Sequence, residues 1–328
     1  MARTLQTKAA ALFAASALSC ALAAADALAQ EVGIAASNPG SLYHSTGTAI
    51  AKMANDDAHL NASVHPFASA TVYLPAVSAG KYAFGISNVG ELRVAVLGTE
   101  QFKGRSYSNL RAVAILYPLR VALFVRKDSP IKSIADLKGK RVVDGFTSQK
   151  TIPPLLDAEY ATAGMTRADI KPVNVPNVVA GANAFTSGKA DAFFFAIGAA
   201  KVDEANASVG GIRALDIANT PENVARVKQH FPAAYLRTVK PGPRNIGVLE
   251  PMTIIAYDGV LVASTNTPDD IVYQMVKAMH ANKKDMAQVF GAMNLFDPNR
   301  MATQLDPIQF HPGAIKFYKE LGVWPPKS

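Results

Sequence analysis

Hydrophobic positions along the chain switch repeatedly between a strand-like run and a helical period. Val32 to Ala36 is a short apolar run ending in Ser37-Asn38-Pro39-Gly40-Ser41, and from Leu42 the spacing places Ala49, Ile50, Met53 and Ala54 on one helical face. Val64 to Phe67 reads as a second strand, Thr71 to Ala79 as a helix closed by Gly80, and Tyr82 to Ile86 as a third strand that the chain leaves at Ser87-Asn88. Arg111 to Tyr117 and Arg120 to Arg126 form two apolar strands around Pro118, a placement that suits a crossing between domains. A short helix over Ile134 to Lys138, a strand over Arg141 to Asp144, the turn Gly145-Phe146-Thr147-Ser148-Gln149 and a helix to Ala163 follow. Further on, strands near Met252 to Tyr257 and Val260 to Ala263 precede a helix that Thr267 caps, with Pro268 in the first turn and Asp269-Asp270 facing its dipole. Ile271, Met275, Ala278 and Met279 make the buried stripe of that helix, and a final helix around Ala314, Phe317, Tyr318 and Leu321 follows His311-Pro312-Gly313. Strands alternating with helices predict an α/β fold whose parallel sheets are covered on both faces.

One unit repeats. Ser78-Ala79-Gly80-Lys81-Tyr82-Ala83-Phe84 and Ser187-Gly188-Lys189-Ala190-Asp191-Ala192-Phe193 both read as helix end, Gly-Lys turn and Ala/Phe strand. Either this is the common chemistry of any helix-to-strand turn, or two similar α/β lobes each carry the unit.

Composition narrows the class. The 328 residues are 49% hydrophobic and 18% charged with one cysteine, which excludes a disordered chain, a disulfide scaffold and a polytopic membrane protein. The length suits two domains. Arg3 and Lys8 precede an Ala/Leu-rich stretch from Ala9 to Ala25, and Ala27-Leu28-Ala29 precedes Gln30, the layout of a cleavable secretory signal over residues 1–29. A first helix buried or anchored in a membrane, and a lipid attached at Cys20, are the alternatives; Ala17 stands where lipid attachment needs a large aliphatic residue. Removing the segment takes away Cys20 and leaves 31 basic and 24 acidic residues, a net of +7, on a periplasmic chain without a thiol.

Catalytic motifs are not evident. None of the six histidines (His44, His59, His65, His230, His280, His311) has another three or four residues on, and no H-E-x-x-H, G-x-S-x-G, phosphate-binding loop or dinucleotide fingerprint occurs. Adjacent acids such as Asp56-Asp57 diverge on a helix. Lys and Arg are scattered, so nucleic acid is not an expected partner, and neither a cofactor nor a metal is implied. What stands out is a set of polar turns at strand ends, where helix N-termini offer unpaired N–H groups to an anion. Ser37, Asn38 and Ser41, with Tyr43 one turn on, Ser87 and Asn88, and Thr147, Ser148 and Gln149 are the candidate ligand-binding residues. Ordinary capping explains any one of them; three together favour a cleft between two lobes. Lys150, Arg93 and Arg120 lie near them in sequence.

Two segments carry a family likeness. Ser129 to Val143 (S-P-I-K-S-I-A-D-L-K-G-K-R-V-V) resembles the interdomain segment of type II periplasmic solute-binding proteins. His311 to Gly322 (H-P-G-A-I-K-F-Y-K-E-L-G), Gly188 to Phe195 (G-K-A-D-A-F-F-F) and Leu116 to Pro118 (L-Y-P) resemble the TAXI family, the extracytoplasmic receptors of tripartite ATP-independent periplasmic (TRAP) transporters. The resemblance implies two doubly wound α/β lobes joined by a hinge, residues 30–118 plus 240–328 and residues 119–239, closing without covalent chemistry over an amino acid, dicarboxylate or 2-oxoacid for delivery to TRAP membrane subunits. The family's two Gly-rich loops fall on Ser37 to Tyr43 and Gly145 to Thr151; Asn38-Pro39, Thr147 to Lys150 and Leu119 depart from its pattern. A sensor presenting a solute to a membrane receptor kinase, and a hydrolase with a dispersed triad, are the other classes this sequence allows.

Overall fold

The computed structural model describes residues 31–326, so the leader expected over residues 1–29 lies outside the described residues. In chain order the first half contains β1 (Val32–Ser37), α1 (Leu42–Ala58), β2 (Ala62–Phe67), α2 (Ala70–Ser78), β3 (Phe84–Asn88) and α3 (Val89–Leu97). β1 lies between β2 and β3, parallel to both. All six residues of β1 are buried, because helices cover both faces of a parallel sheet and leave no face for polar alternation. β3 extends two residues beyond the predicted strand: Ser87 and Asn88 still pair, opposite Val260 and Gly259.

Next comes β4 (Leu110–Arg126), one strand of 17 residues where the sequence suggests two. After it follow β5 (Arg141–Asp144), α4 (Ile152–Thr162), β6 (Lys171–Asn174), α5 (Val178–Thr186), β7 (Ala192–Ala196), α6 (Ala200–Ser208), β8 (Ile212–Ala214), α7 (Pro221–His230) and β9 (Tyr235–Val239). The chain closes with β10 (Met252–Ser264), α8 (Asp269–Ala281), α9 (Lys283–Val289) and α10 (Pro312–Glu320). The sheet runs β2-β1-β3-β10-β4-β7-β5-β6, with β8 beside β4 and β9 beside β10. Each outer part repeats one plan: its first strand central, its second outside, its third inside and parallel to the first.

β4 and β10 belong to both lobes. The first part of β4, Leu110 to Ile115, pairs antiparallel with Val260 to Ser264 of β10, which itself pairs with β3; the last part, Val121 to Val125, pairs with β7. Pro118 sits opposite Asp258, where the register slips before Val260. A residue without an N–H is tolerated there because the ladder is already interrupted. The two apolar runs merge into one strand because nearly every position between them is buried, Pro118 included. The fold is the type II periplasmic-binding-protein arrangement of two doubly wound α/β lobes with a strand-built hinge.

The repeated unit now has a place. Gly80 and Gly188 share a left-handed φ of 75°, and in each the following Lys N–H reaches back to the helix (Lys81 to Ala76 O at 2.9 Å, Lys189 to Ala184 O at 2.9 Å). The strands they feed, β3 and β7, hold equivalent positions in the two halves. One local reading changes. Thr267 does not cap α8: its Oγ1 donates to Ala83 O at 3.0 Å, and Pro268 stands at the N-cap. Leu321, at the end of the last helix, is the exposed C-cap residue of α10.

Candidate functional site

β1 ends in the turn Asn38-Pro39-Gly40, and Ser41 caps α1 by accepting from His44 N–H at 3.2 Å. This turn forms one wall of a pocket between the lobes. The opposite wall is the start of α5, capped by Asn177, whose Oδ1 accepts from Ala180 N–H at 3.0 Å, together with Gln149. Leu119 and Val121 of β4, Phe194 and Phe195 of β7, and Tyr257 of β10 supply an apolar floor. The cavity occupies about 510 Å³, part of it open to solvent.

The donors converge. Leu42 and Tyr43 at the start of α1 and Val179 at the start of α5 line the pocket, and their N–H groups have no acceptor among the described residues. Ser37, 6% exposed, also lines it, and its buried hydroxyl lies beside Tyr73. The N–H of Val178 is engaged by Gln149 Oε1 at 3.1 Å. α4 also begins here, but Pro153 and Pro154 remove two of its donors and the Ile152 N–H is held by Gln149 O. It contributes a dipole end without N–H groups.

Of the candidates from sequence, the structure brings Ser37, Asn38, Ser41, Tyr43 and Gln149 into this pocket. Asn88 stands behind it: its Nδ2 donates to Tyr43 Oη at 2.9 Å while its Oδ1 caps α3 by accepting from Glu91 N–H. Ser87 is fully buried at the end of β3, with an unpartnered hydroxyl, and does not line the pocket. Thr147 and Ser148 line a separate surface cleft with Thr71, Glu100 and Pro153. Ser148 still joins the lobes, because its carbonyl accepts from Ser69 Oγ at 2.7 Å. On the other side of the turn the Lys201 N–H donates to Gly40 O at 3.2 Å, so the lobes are clasped at two places.

None of the basic residues near the turns reaches the pocket. Lys150 Nζ donates to Phe146 O, Arg93 is exposed, and Arg120 points away from Leu119 and Val121 to a second cleft, where Nη1 donates to Asn245 Oδ1 at 2.9 Å. The pocket's phenols are neutral, with burial pushing the Tyr43 and Tyr257 hydroxyls well above their ordinary value. Glu91, buried nearby with Thr71 Oγ1 donating to it at 2.7 Å, is likewise held toward its protonated form by burial. His311 is a cap: Nδ1 accepts from Gly313 N–H and Nε2 faces Ser264 O, and burial lowers its basicity. Among the described residues no group of three His, Cys, Asp or Glu could hold a metal, and no helix is long and apolar enough to cross a membrane.

Sequence reasoning missed Asn177, Val179, Phe194, Phe195 and Tyr257. The turn Val175-Pro176-Asn177 was a signal of the same kind as those singled out, a polar residue after a strand and before a helix. Tyr257 carried none, since only the pairing of β10 with β4 brings it to the floor.

Solved structures share this two-lobed α/β fold. A periplasmic transporter protein is similar over 89% of this chain and 92% of its own, with a TM-score of 0.57 and 14% identity. MatC from Rhodopseudomonas palustris, solved with bound malate, is similar over 80% and 89% (TM-score 0.55, 16% identity), and PhnD1 from Prochlorococcus marinus, solved with methylphosphonate, over 89% and 98% (0.54, 10%). At these identities the likeness is one of fold. The chain belongs to the NMT1-like family, whose model matches residues 34–322.

Proposed function

We propose that the protein is an extracytoplasmic solute-binding receptor that captures a small organic anion between its lobes and hands it to the membrane subunits of a transporter. The observation that carries this is the convergence of the α1 and α5 N-termini, with the free N–H groups of Leu42, Tyr43 and Val179, on one pocket between the lobes. Donors fixed at two helix starts, with no competing carboxylate in the lining, suit an anion. The receptor binds without covalent chemistry, and the TAXI-like phrases at Gly188 to Phe195 and His311 to Gly322 make a TRAP-type permease the partner, with the protein acting in the periplasm after loss of its leader. Leu119, Thr147 to Lys150 and Asn38-Pro39 are where its ligand would part from that family's usual ones.

Thermal-shift screening against amino acids, dicarboxylates, 2-oxoacids, sugars and polyamines tests the reading. An anion at a hundredfold excess over Kd adds about 2.7 kcal/mol of stability. If only neutral or cationic solutes raise the midpoint, the proposal fails.

A further inference from the structure

Resting on that receptor reading, we infer that the ligand is a monocarboxylate with a short apolar body, and that dicarboxylates and amino acids are selected against. The donor cluster offers one place for a carboxylate: the Leu42, Tyr43 and Val179 N–H groups at the starts of α1 and α5, beside the buried Ser37 side chain in the pocket lining. Beyond it the lining turns apolar at Leu119, Val121, Ile152, Phe194 and Phe195. Among the described residues no Lys, Arg, Asp or Glu lines the pocket.

Each missing charge excludes a ligand class. A second carboxylate needs a cation on the floor, but Arg120, the one guanidinium on that stretch of β4, alternates to the opposite face. An α-ammonium needs a carboxylate or several acceptors beside the first site. Glu91 is the nearest buried acid, and burial favours its neutral form. A charge left unpaired among phenylalanines loses its hydration without replacement, which weakens binding by about a hundredfold or more. A 2-oxo group can be taken by Tyr43 and Asn177, which line the pocket beside the donors, whereas a charged group further along the chain meets the hydrocarbon of Leu119, Val121, Phe194 and Phe195.

The test is calorimetric titration of the purified protein with three acids of similar length and different charge: 2-oxobutyrate, 2-aminobutyrate and succinate. 2-Oxobutyrate should bind at least about a hundredfold more tightly than either of the others. Ser37→Ala should weaken it about five- to tenfold, and a melting curve reads any cost of losing the contact between that hydroxyl and Tyr73. Leu119→Lys, which places a cation on the floor, should shift the preference toward succinate; a melting curve establishes that this variant is folded. Tighter binding of succinate or 2-aminobutyrate by the unaltered protein overturns the inference and leaves the anion receptor standing. Should none of the three bind while inorganic phosphate or methylphosphonate does, the inference again falls alone. Binding confined to neutral or cationic solutes removes both.

Discussion

Glu159 occupies a core position of α4. It follows Ile152, Leu155 and Leu156 on the buried stripe, is 0% exposed, and neither carboxylate oxygen has a partner. Burial pushes its carboxyl up from 4.5 to about 8. In the unfolded chain the group ionises near its ordinary value, so the native state binds the extra proton between those limits. The stability tied to the proton is fully present below the unfolded pKa and is lost as pH rises through about 8. At about 1.4 kcal/mol per unit, the loss is about 3 kcal/mol by pH 7 and at most about 5 kcal/mol above pH 8.5. Glu159→Gln keeps the shape and removes the titration. Urea unfolding of both proteins from pH 5 to pH 8.5, followed by circular dichroism, isolates this group because every other titration is shared. The variant should match the parent within about 1 kcal/mol at pH 5 and exceed it by several kcal/mol at pH 8.5. Glu159→Leu should be more stable still at the upper end, having no polar atom to bury. Parallel pH profiles for parent and Gln variant would refute the reasoning, since the carboxylate would then have to find hydration or a partner in α7, against which α4 packs.

Arg167 bonds the buried Asp144 at 2.6 Å as well as Asp157 and Pro153 O, so Arg167→Ala should cost about 3 kcal/mol or more in a urea titration by stranding a buried carboxylate at the end of β5. A Cβ on Gly90 would stand 2.3 Å from Phe231 Cζ; Gly90→Ala should therefore destabilise by about 1–3 kcal/mol, and Phe231→Leu in the same chain should restore most of the melting temperature. Ser69→Ala removes a clasp to Ser148 O and should weaken the closed form by about 1 kcal/mol, read as several-fold weaker ligand binding and a larger radius of gyration in X-ray scattering. Because an anion in the pocket opposes ionisation of Glu91, affinity should fall as pH rises through the raised pKa of that carboxyl, and Glu91→Gln should flatten the dependence in calorimetry.

Local chemistry was readable from the chain wherever it acts within a few residues. The αL glycines Gly80 and Gly188, the Ser41 cap and the β1 run all follow from residue type and period. Pairing across the sheet was not: Ser87 and Asn88 read as a turn because nothing local reveals that Val260 and Gly259 lie opposite them. Two apolar runs around Pro118 became one strand for the same reason, since a register slip 140 residues away absorbs the missing N–H. In the site, the turn that opens on β1 was legible. Thr147 and Ser148 lie elsewhere because their N–H groups are spent on Val175 O and Pro176 O, bonds fixed by how β5 and β6 pair. The apolar floor was legible as hydrophobic sequence but not as a floor.

The place of β10 in the sheet also sets the order in which the molecule can be assembled. It inserts between β3 and β4, yet its residues are separated from those of β3 by about half of the chain. Until Met252–Ser264 is available, β3 and the first part of β4 each keep an unsatisfied edge and have no direct route to one another. A chain growing from its N-terminus therefore holds an incomplete first lobe around a finished stretch of second-lobe sequence. A fragment ending near residue 250 should fail to form either the hinge or the first lobe.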